Sequence, residues 1–187
     1  MKKLLAFLIA AGFLFSCSNQ QAANPPAEEK KPADSTVAEA KPAPKIDYPY
    51  VAKYSSDWKL GDPNNSKVIL DFYKALESGK TDEMKNYFGD SVQFRLYDTR
   101  AGKVSAADAI KKISDFRARF KTLTEEFLAF IPLHSNDRNE DWVSTWMVER
   151  AVSLNGKSDS TTYQENWGLQ NGKIVSVEGF AQYKFRH

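Results

Sequence analysis

Residues 167–174 read Trp-Gly-Leu-Gln-Asn-Gly-Lys-Ile, and this run determines how the C-terminal half of the chain is expected to fold. An Asn-Gly pair between two apolar runs is the strongest short signal for a β-hairpin, because both residues tolerate the positive φ angles of a tight turn. The same pair recurs at Asn155-Gly156. The two turns therefore predict an antiparallel meander, with strands at residues 142–154, 160–169 and 173–185.

Two further strands are predicted upstream of this meander. Residues 92–97 alternate between apolar and polar side chains, which is typical of a half-buried strand. Residues 125–134 show a similar pattern, but they contain Pro132. Since proline cannot donate to a strand ladder, we expect this strand to lie at an edge or to end there.

Three helices are predicted before the meander. Asp62-Pro63 has the form of an N-cap followed by proline in the first turn, and Gly79 ends the apolar pattern that follows. Thr81 is expected to cap a second, short helix. Ser105 and Asp108 form a capping-box pattern for a third helix, whose apolar stripe extends to Phe120. This order predicts an α+β domain, in which a curved antiparallel sheet wraps around about three N-terminal helices.

The first 16 residues have the pattern of a signal peptide. Lys2 and Lys3 precede an uncharged apolar stretch that is shorter than the roughly 20 residues a transmembrane helix needs. The stretch ends in Leu14-Phe15-Ser16-Cys17, which resembles the lipobox of bacterial lipoproteins. The resemblance implies that Cys17, the only cysteine, receives lipid and becomes the first residue of the mature protein. The alternative is an ordinary secretory signal cleaved near Ser16.

Residues 17–56 are expected to form a lipidated, disordered tether. They are rich in Pro, Ala, Lys and Glu, and six of the eight prolines fall between Pro25 and Pro49. Such a composition cannot bury enough apolar surface to offset the entropy of ordering. Residues 57–187, which are rich in aromatic side chains, then form one compact domain.

Charge excludes some classes of partner. The 26 basic and 24 acidic side chains differ by Lys2 and Lys3 of the signal peptide, so the rest of the chain is balanced. We therefore expect no binding to nucleic acid, and we expect the lipid bilayer to be contacted through acylated Cys17. The predicted location is the cell envelope, at the outer membrane or facing the periplasm if the bacterium has two membranes.

The domain resembles the nuclear transport factor 2-like superfamily, whose members are often called SnoaL-like. The resemblance covers residues 57–187 and rests on the helix at 68–76, the strand-turn-helix at 92–120 and the hairpin at 167–174. It implies a cone-shaped fold, a pocket between sheet and helices, and a homodimer through the sheet. Many catalytic members carry a His-Trp-Asp-like run after Gly-Lys-Ile, where this chain has Val177-Glu178-Gly179.

Aromatic side chains are the leading candidates for a ligand pocket. Trp142 and Trp146 share a face of one predicted strand, while Tyr163, Glu165 and Trp167 share a face of the next. With Tyr73 from the first helix, these rings would give apolar walls with a few polar groups, as small-molecule pockets have. The alternative is that they fill the core or a dimer contact.

Catalytic and metal-binding candidates are fewer. Asp98 and Glu165 are the carboxylates to test as an acid or base, and Glu149 and Glu178 are weaker choices. His134 and Asp137 are expected to be solvated loop residues rather than metal ligands. No metal or cofactor is expected.

These observations favour a membrane-anchored module that binds a small apolar ligand or a partner protein without catalysis. An isomerase or hydrolase that uses a carboxylate inside the cone is one alternative. A structural assembly module with a filled cone is another. The cavity distinguishes these three functions: an open, charged cavity favours an enzyme, an open, aromatic cavity favours ligand binding, and a filled cone favours assembly.

Overall fold

The computed structural model describes residues 46–96 and 101–182. Residues from Asp47 onward form one compact unit. Cys17 and the proposed signal peptide lie outside the described residues, as do Asp98 and His187.

The predicted caps of the first and third helices are confirmed. Helix α1 (Pro63–Ser78) begins where the Asp62 carboxylate accepts from the amide of Asn64 at 2.8 Å, and it ends at Gly79, whose φ is 71°. A 3₁₀ helix (Thr81–Asn86) follows, but Thr81 does not cap it, because Lys80 occupies the N-cap position and no side-chain hydrogen bond closes this helix start. Helix α2 (Ala106–Arg117) begins where the Ser105 hydroxyl accepts from the amide of Asp108. No helix in the described ranges is long and apolar enough to cross a membrane.

One helix boundary was predicted wrongly. The apolar stripe of α2 was expected to extend to Phe120, but the helix ends at Arg117. Phe120 instead opens the first long strand and contacts Phe116 edge to face, with ring centroids 5.0 Å apart. The two rings therefore still share the apolar surface that the helical spacing indicated.

The described residues form a seven-stranded sheet with the order β1-β4-β5-β6-β7-β2-β3. The strands are β1 (Trp58–Leu60), β2 (Phe88–Arg95), β3 (Gly102–Ser105), β4 (Phe120–Ser135), β5 (Glu140–Ser153), β6 (Ser158–Gln170) and β7 (Lys173–Gln182). Neighbouring strands are antiparallel except β2 and β7, which run parallel. The α+β class and the long meander are thus confirmed.

The short strands β1 and β3 were not predicted, and β1 changes the role of Pro132. Strand β1 pairs with the end of β4, so this part of β4 lies between two neighbours rather than at an edge. Pro132 contributes its carbonyl, which accepts from the amide of Gly61 at 3.0 Å. Because residue 132 serves only as a hydrogen-bond acceptor towards β1, the missing N–H of proline is compatible with an interior strand.

The two faces of the sheet differ in burial. On β5 the odd-numbered residues Val143, Thr145 and Met147 are almost fully buried, whereas Trp146 is 37% exposed. The buried side, here called the inner face, packs against Ile69 and other apolar residues of α1. The opposite side is called the outer face.

Candidate functional site

A cavity of about 470 Å³ lies between the inner face and the two helices. Its walls are mostly aromatic and aliphatic, and they include Phe72, Tyr73, Phe94, Phe116, Met147 and Trp167. Three further lining residues are polar and belong to the sheet: Glu149, Tyr163 and Glu165. The exposed residues Lys112, Asp115 and Arg119 border the cavity from α2 and the turn after it.

Glu165 and Tyr73 form a buried pair in this cavity. Glu165 lies on β6 and is 8% exposed, and its carboxylate accepts a hydrogen bond from the Tyr73 hydroxyl on α1. Gly179 of β7 lies opposite Glu165, where an added Cβ would be 3.3 Å from Oε1 of Glu165 and 2.8 Å from Cδ2 of Leu96. The glycine therefore leaves the space that the carboxyl group occupies.

Burial gives Glu165 an unusual acidity. Removal from water raises the pKa of Glu165 to about 7, since desolvation disfavours the charged form. The hydrogen bond from Tyr73 opposes this rise in pKa, the nearby Glu149 adds to it, and the Trp167 indole opposes it. Burial and the charge of Glu165 raise the pKa of Tyr73 well above its ordinary value, so this hydroxyl remains a donor at neutral pH.

A pair of carboxyls, from Glu125 and Glu149, influences the pKa of Glu165 or of its neighbours. Glu125 of β4 and Glu149 of β5 are direct cross-strand partners. Burial and the neighbouring Glu149 raise the pKa of Glu125, and burial raises the pKa of Glu149, on which the nearness of Glu125 and Tyr163 acts in the opposite direction. Both carboxyl oxygens of Glu125 are buried without a hydrogen-bond partner among the described residues, and such burial favours the protonated form.

Trp167 forms part of both the core and the cavity wall. It is 5% exposed, and its ring centroid lies 5.3 Å from that of Phe72 and 5.7 Å from that of Tyr73. Its indole N–H is buried without a hydrogen-bond partner among the described residues, although its nearness to Glu165 lowers the pKa of that carboxyl. The cavity wall therefore holds an unused donor close to a carboxylate.

The structure brings together Tyr73, Tyr163, Glu165 and Trp167 from the predicted site. It places Trp142 and Trp146 elsewhere, which corrects the expectation that they line the same pocket. The ring of Trp142 lies over Gly168 on the outer face and meets Tyr54 edge to face at 6.0 Å. Trp146 is on that face as well, directly across from Gln164.

The turn between β5 and β6 explains why Trp142 and Trp146 lie on the outer face. A two-residue Asn155-Gly156 turn would pair Leu154 with Lys157 and put both tryptophans on the face of Glu165. Instead the amide of Ser153 donates to the carbonyl of Lys157, which makes a three-residue loop with Gly156 at φ 84°. This one-residue difference in register moves every side chain of one strand to the opposite face.

Other titratable candidates have separate partners. Glu178 lies on β7 and pairs with Arg95, while His134 contacts Asp141 through Nδ1 at 2.8 Å. Asp137 accepts from the hydroxyls of Ser55 and Ser135 at 2.6 Å. Within residues 46–96 and 101–182, no three His, Cys, Asp or Glu side chains are grouped to hold a metal.

Sequence reasoning did not predict the pairing of Glu125 with Glu149. Its signal was present in the sequence as Glu125 at the start of one predicted strand and Glu149 within the next. The pairing could not be read without the register between those strands, which their connection at residues 136–139 does not specify. Only a correct register shows that three glutamates converge on one region of the inner face.

The described domain is similar in structure to several solved proteins. A protein named as a polyketide cyclase from Acidithiobacillus ferrooxidans superposes with a TM-score of 0.55 at 10% identity, over 63% of this chain and 87% of that one. AusH from Aspergillus nidulans gives 0.54 at 11% identity, over 69% and 90%. An NTF2-like protein of unknown function from Burkholderia pseudomallei gives 0.52 at 16% identity, over 64% and 91%.

No protein-family model matches the chain, and no curated protein matches it. Identities of this size establish shared architecture and leave chemistry to the site itself. A curved seven-stranded sheet around helices, together with these superpositions, identifies the fold of the domain as nuclear transport factor 2-like.

Proposed function

We propose that the domain binds a small, largely apolar molecule in the cavity between sheet and helices, without transforming it. The cavity itself carries this proposal, because about 470 Å³ of space with aromatic walls and a few convergent polar groups is typical of small-molecule sites. An assembly module with a filled interior would not retain such a space. The open cavity therefore favours binding over assembly.

The test compares what copurifies with three forms of the full chain. Ile113→Trp fills the cavity from α2, whereas Ile131→Trp adds the same bulk to a residue that is 37% exposed on the sheet. Solvent extracts of each protein are compared by mass spectrometry. We expect a molecule enriched with the wild type and with Ile131→Trp, and depleted with Ile113→Trp. Equal extracts from all three proteins would contradict the proposal.

A second candidate function is an acid–base enzyme of the isomerase or hydrolase type. It is favoured by Glu165, since a cavity carboxyl with a pKa of about 7 can both accept and donate a proton at neutral pH. Incubating the copurified molecule with the protein in heavy water tests this function. Deuterium incorporated at carbon, and lost with Glu165→Gln, would favour the enzyme over the binding module.

We also propose that Cys17 anchors the protein to a membrane of the cell envelope. The lipobox-like run at residues 14–17, after an apolar signal segment, supports this. Replacing Cys17 with Ser should release the protein from membranes or leave the precursor uncleaved, as read by fractionation and by mass. A Cys17→Ser protein that is cleaved and membrane-bound like the wild type would disprove lipidation at this residue.

A further inference from the structure

Three glutamate carboxyls lie in or next to the cavity without a basic partner among the described ion pairs. Glu149 and Glu165 line the cavity, and Glu125 on β4 is the cross-strand partner of Glu149. The ion pairs of the described residues include none of these three carboxyls. Buried carboxyls without a cation are expensive, so this arrangement requires either protonation or a positively charged occupant.

The surrounding charges do not supply that cation. From the packed elements, the groups that influence the three carboxyls are Tyr73, Glu77, Asp159 and Tyr163, none of them basic. Lys112 and Arg119 border the cavity but are exposed, and the Arg119 guanidinium lies over the Phe116 ring, 5.6 Å from its centroid. Both therefore remain at the border, next to Asp115.

Aromatic rings line the same cavity as Glu149 and Glu165, among them Phe72, Tyr73 and Trp167. Tyr73 contacts Phe127, Phe72 and Trp167 with ring centroids between 5.2 and 5.7 Å apart. Ring faces attract cations, and a cage of rings with a carboxylate is a common way to hold an organic ammonium group. The apolar walls provide a surface for the rest of such a molecule.

On the basis of the proposed function, we infer that the cavity is built for an organic cation: a protonated or quaternary amine on an apolar body. Its ammonium group lies against Glu165 and Glu149, and its body contacts the aromatic walls. The described carboxyls are not grouped as metal ligands, so an organic cation fits them better than a metal ion.

Binding of an organic cation should release protons from the cavity. In the empty cavity, burial and mutual repulsion favour the protonated carboxyls, as the raised pKa of Glu165 shows. An ammonium group favours the carboxylate, so each carboxyl that ionises on binding releases one proton to solvent. Affinity for the cation should therefore rise with pH through about 7, while affinity for a neutral analogue should not.

The experiment uses three probes of similar shape: naphthylmethylamine, naphthylmethanol and naphthoate. Each is titrated by calorimetry into the full chain in lipid nanodiscs, with empty nanodiscs subtracted. We expect the amine to bind at least about tenfold more tightly than the alcohol at pH ~7.5, and naphthoate to bind most weakly. Repeating the titration in buffers of different ionisation enthalpy measures the released protons.

Three variants assign the effect to the cavity. Glu165→Gln and Glu149→Gln keep the side-chain shape and should each remove most of the amine's advantage over the alcohol. Glu126→Gln is the matched control, because Glu126 neighbours Glu125 on β4 but pairs with Arg150 at the surface. Its affinities should equal those of the wild type.

The outcomes separate this inference from the proposed function. If the alcohol binds as tightly as the amine, the inference is overturned and the cavity remains a site for neutral ligands. If the amine is preferred but both cavity variants retain the preference, the cation lies elsewhere and the inference is again overturned. If no probe binds the wild type, the inference is overturned, while the proposed function is decided by the copurification comparison with Ile113→Trp.

Discussion

At the scale of single residues, the carboxyl of Glu165 couples folding to pH. Its pKa is about 7 in the folded protein and 4.5 ordinarily, so between these values the folded state holds a proton that the unfolded state has released. Such a group contributes stability that is complete below about pH 4.5 and is lost as pH rises through about 7. The full loss is roughly 3 kcal/mol.

Glu165→Gln should remove this dependence. Glutamine keeps the shape and can accept from Tyr73 but does not titrate. The unfolding free energy of the variant minus that of the wild type should therefore increase by up to about 3 kcal/mol between pH 4.5 and pH 8. Urea unfolding at a series of pH values measures the difference. Glu126→Gln at the surface should keep the wild-type profile. Parallel curves for wild type and Glu165→Gln would show that Glu165 does not titrate in this range.

The two faces of the sheet should respond differently to loss of a tryptophan. Trp167→Ala removes a 5% exposed ring that contacts Phe72 and Tyr73, and it should cost about 3–5 kcal/mol of unfolding free energy. Trp146→Ala removes a ring that is 37% exposed on the outer face, and it should cost less than about 1 kcal/mol. Denaturant unfolding of both variants checks this. Similar costs would place the two rings in equivalent surroundings.

At the scale of elements, one side chain connects two helices and a strand. Arg117, the last residue of α2, donates to the carbonyls of Leu76 and Glu77 at 3.0 Å and of Phe120 at 2.8 Å. Two of these carbonyls belong to the last turn of α1, where the last carbonyls of a helix lack a partner within it, although Leu76 also accepts from the amide of Gly79. Arg117 thus holds the end of α1 against the start of β4.

Arg117→Ala should therefore destabilise the domain by about 2 kcal/mol, because it removes three half-buried hydrogen bonds, although the Leu76 carbonyl still accepts from the amide of Gly79. Arg117→Lys should lie between this variant and the wild type, since an ammonium group cannot reproduce the forked geometry of guanidinium. Urea unfolding of both variants measures the effect, with exposed Arg119→Ala as the control. A loss below about 0.5 kcal/mol for Arg117→Ala would mean that water replaces the bonds.

Elements defined by local chemistry were predictable from sequence. The caps at Asp62 and Ser105 and the turn at Asn171-Gly172 depend on residues within four positions of each other, and all are confirmed. The β5–β6 register depends on whether the loop at Asn155-Gly156 has two or three residues. The Asn-Gly pair does not distinguish these two loop lengths. The short strands β1 and β3 gain their pairing from distant partners, and three or four residues carry too little pattern to predict.

At the scale of the whole molecule, the site depends on contacts that no single segment specifies. Tyr73 and Glu165 are 92 positions apart, and they meet only because α1 packs on the inner face. The shared face of Tyr163, Glu165 and Trp167 could be proposed from strand periodicity alone, whereas Trp142 and Trp146 could not be placed in that way. The convergence of Glu125 and Glu149 on the same region requires the full strand order. The acidic character of the cavity is therefore a property of the tertiary structure.

The folded unit extends to residues before position 57. Residues 57–187 were expected to form the domain, but Tyr54 and Ser55 already contact it. Tyr54 packs on Trp58 and Trp142 and lies under Arg138, 4.2 Å from ring centroid to guanidinium. Ser55 donates to Asp137. A chain that starts at residue 57 loses these contacts, while one that starts at residue 47 retains them.

We therefore expect the chain from residue 47 to unfold like the full chain, since the composition before it supports no core. The chain from residue 57 should lose about 1–2 kcal/mol, the usual contribution of a few surface hydrogen bonds and ring contacts. Urea unfolding of the three chains measures this, and Tyr54→Ala in the longest chain should reproduce most of the loss. If the chain from residue 57 unfolds like the others, Tyr54 and Ser55 do not stabilise the domain. If the chain from residue 47 is less stable than the full chain, residues before 47 contribute to folding, which would contradict their predicted role as a tether.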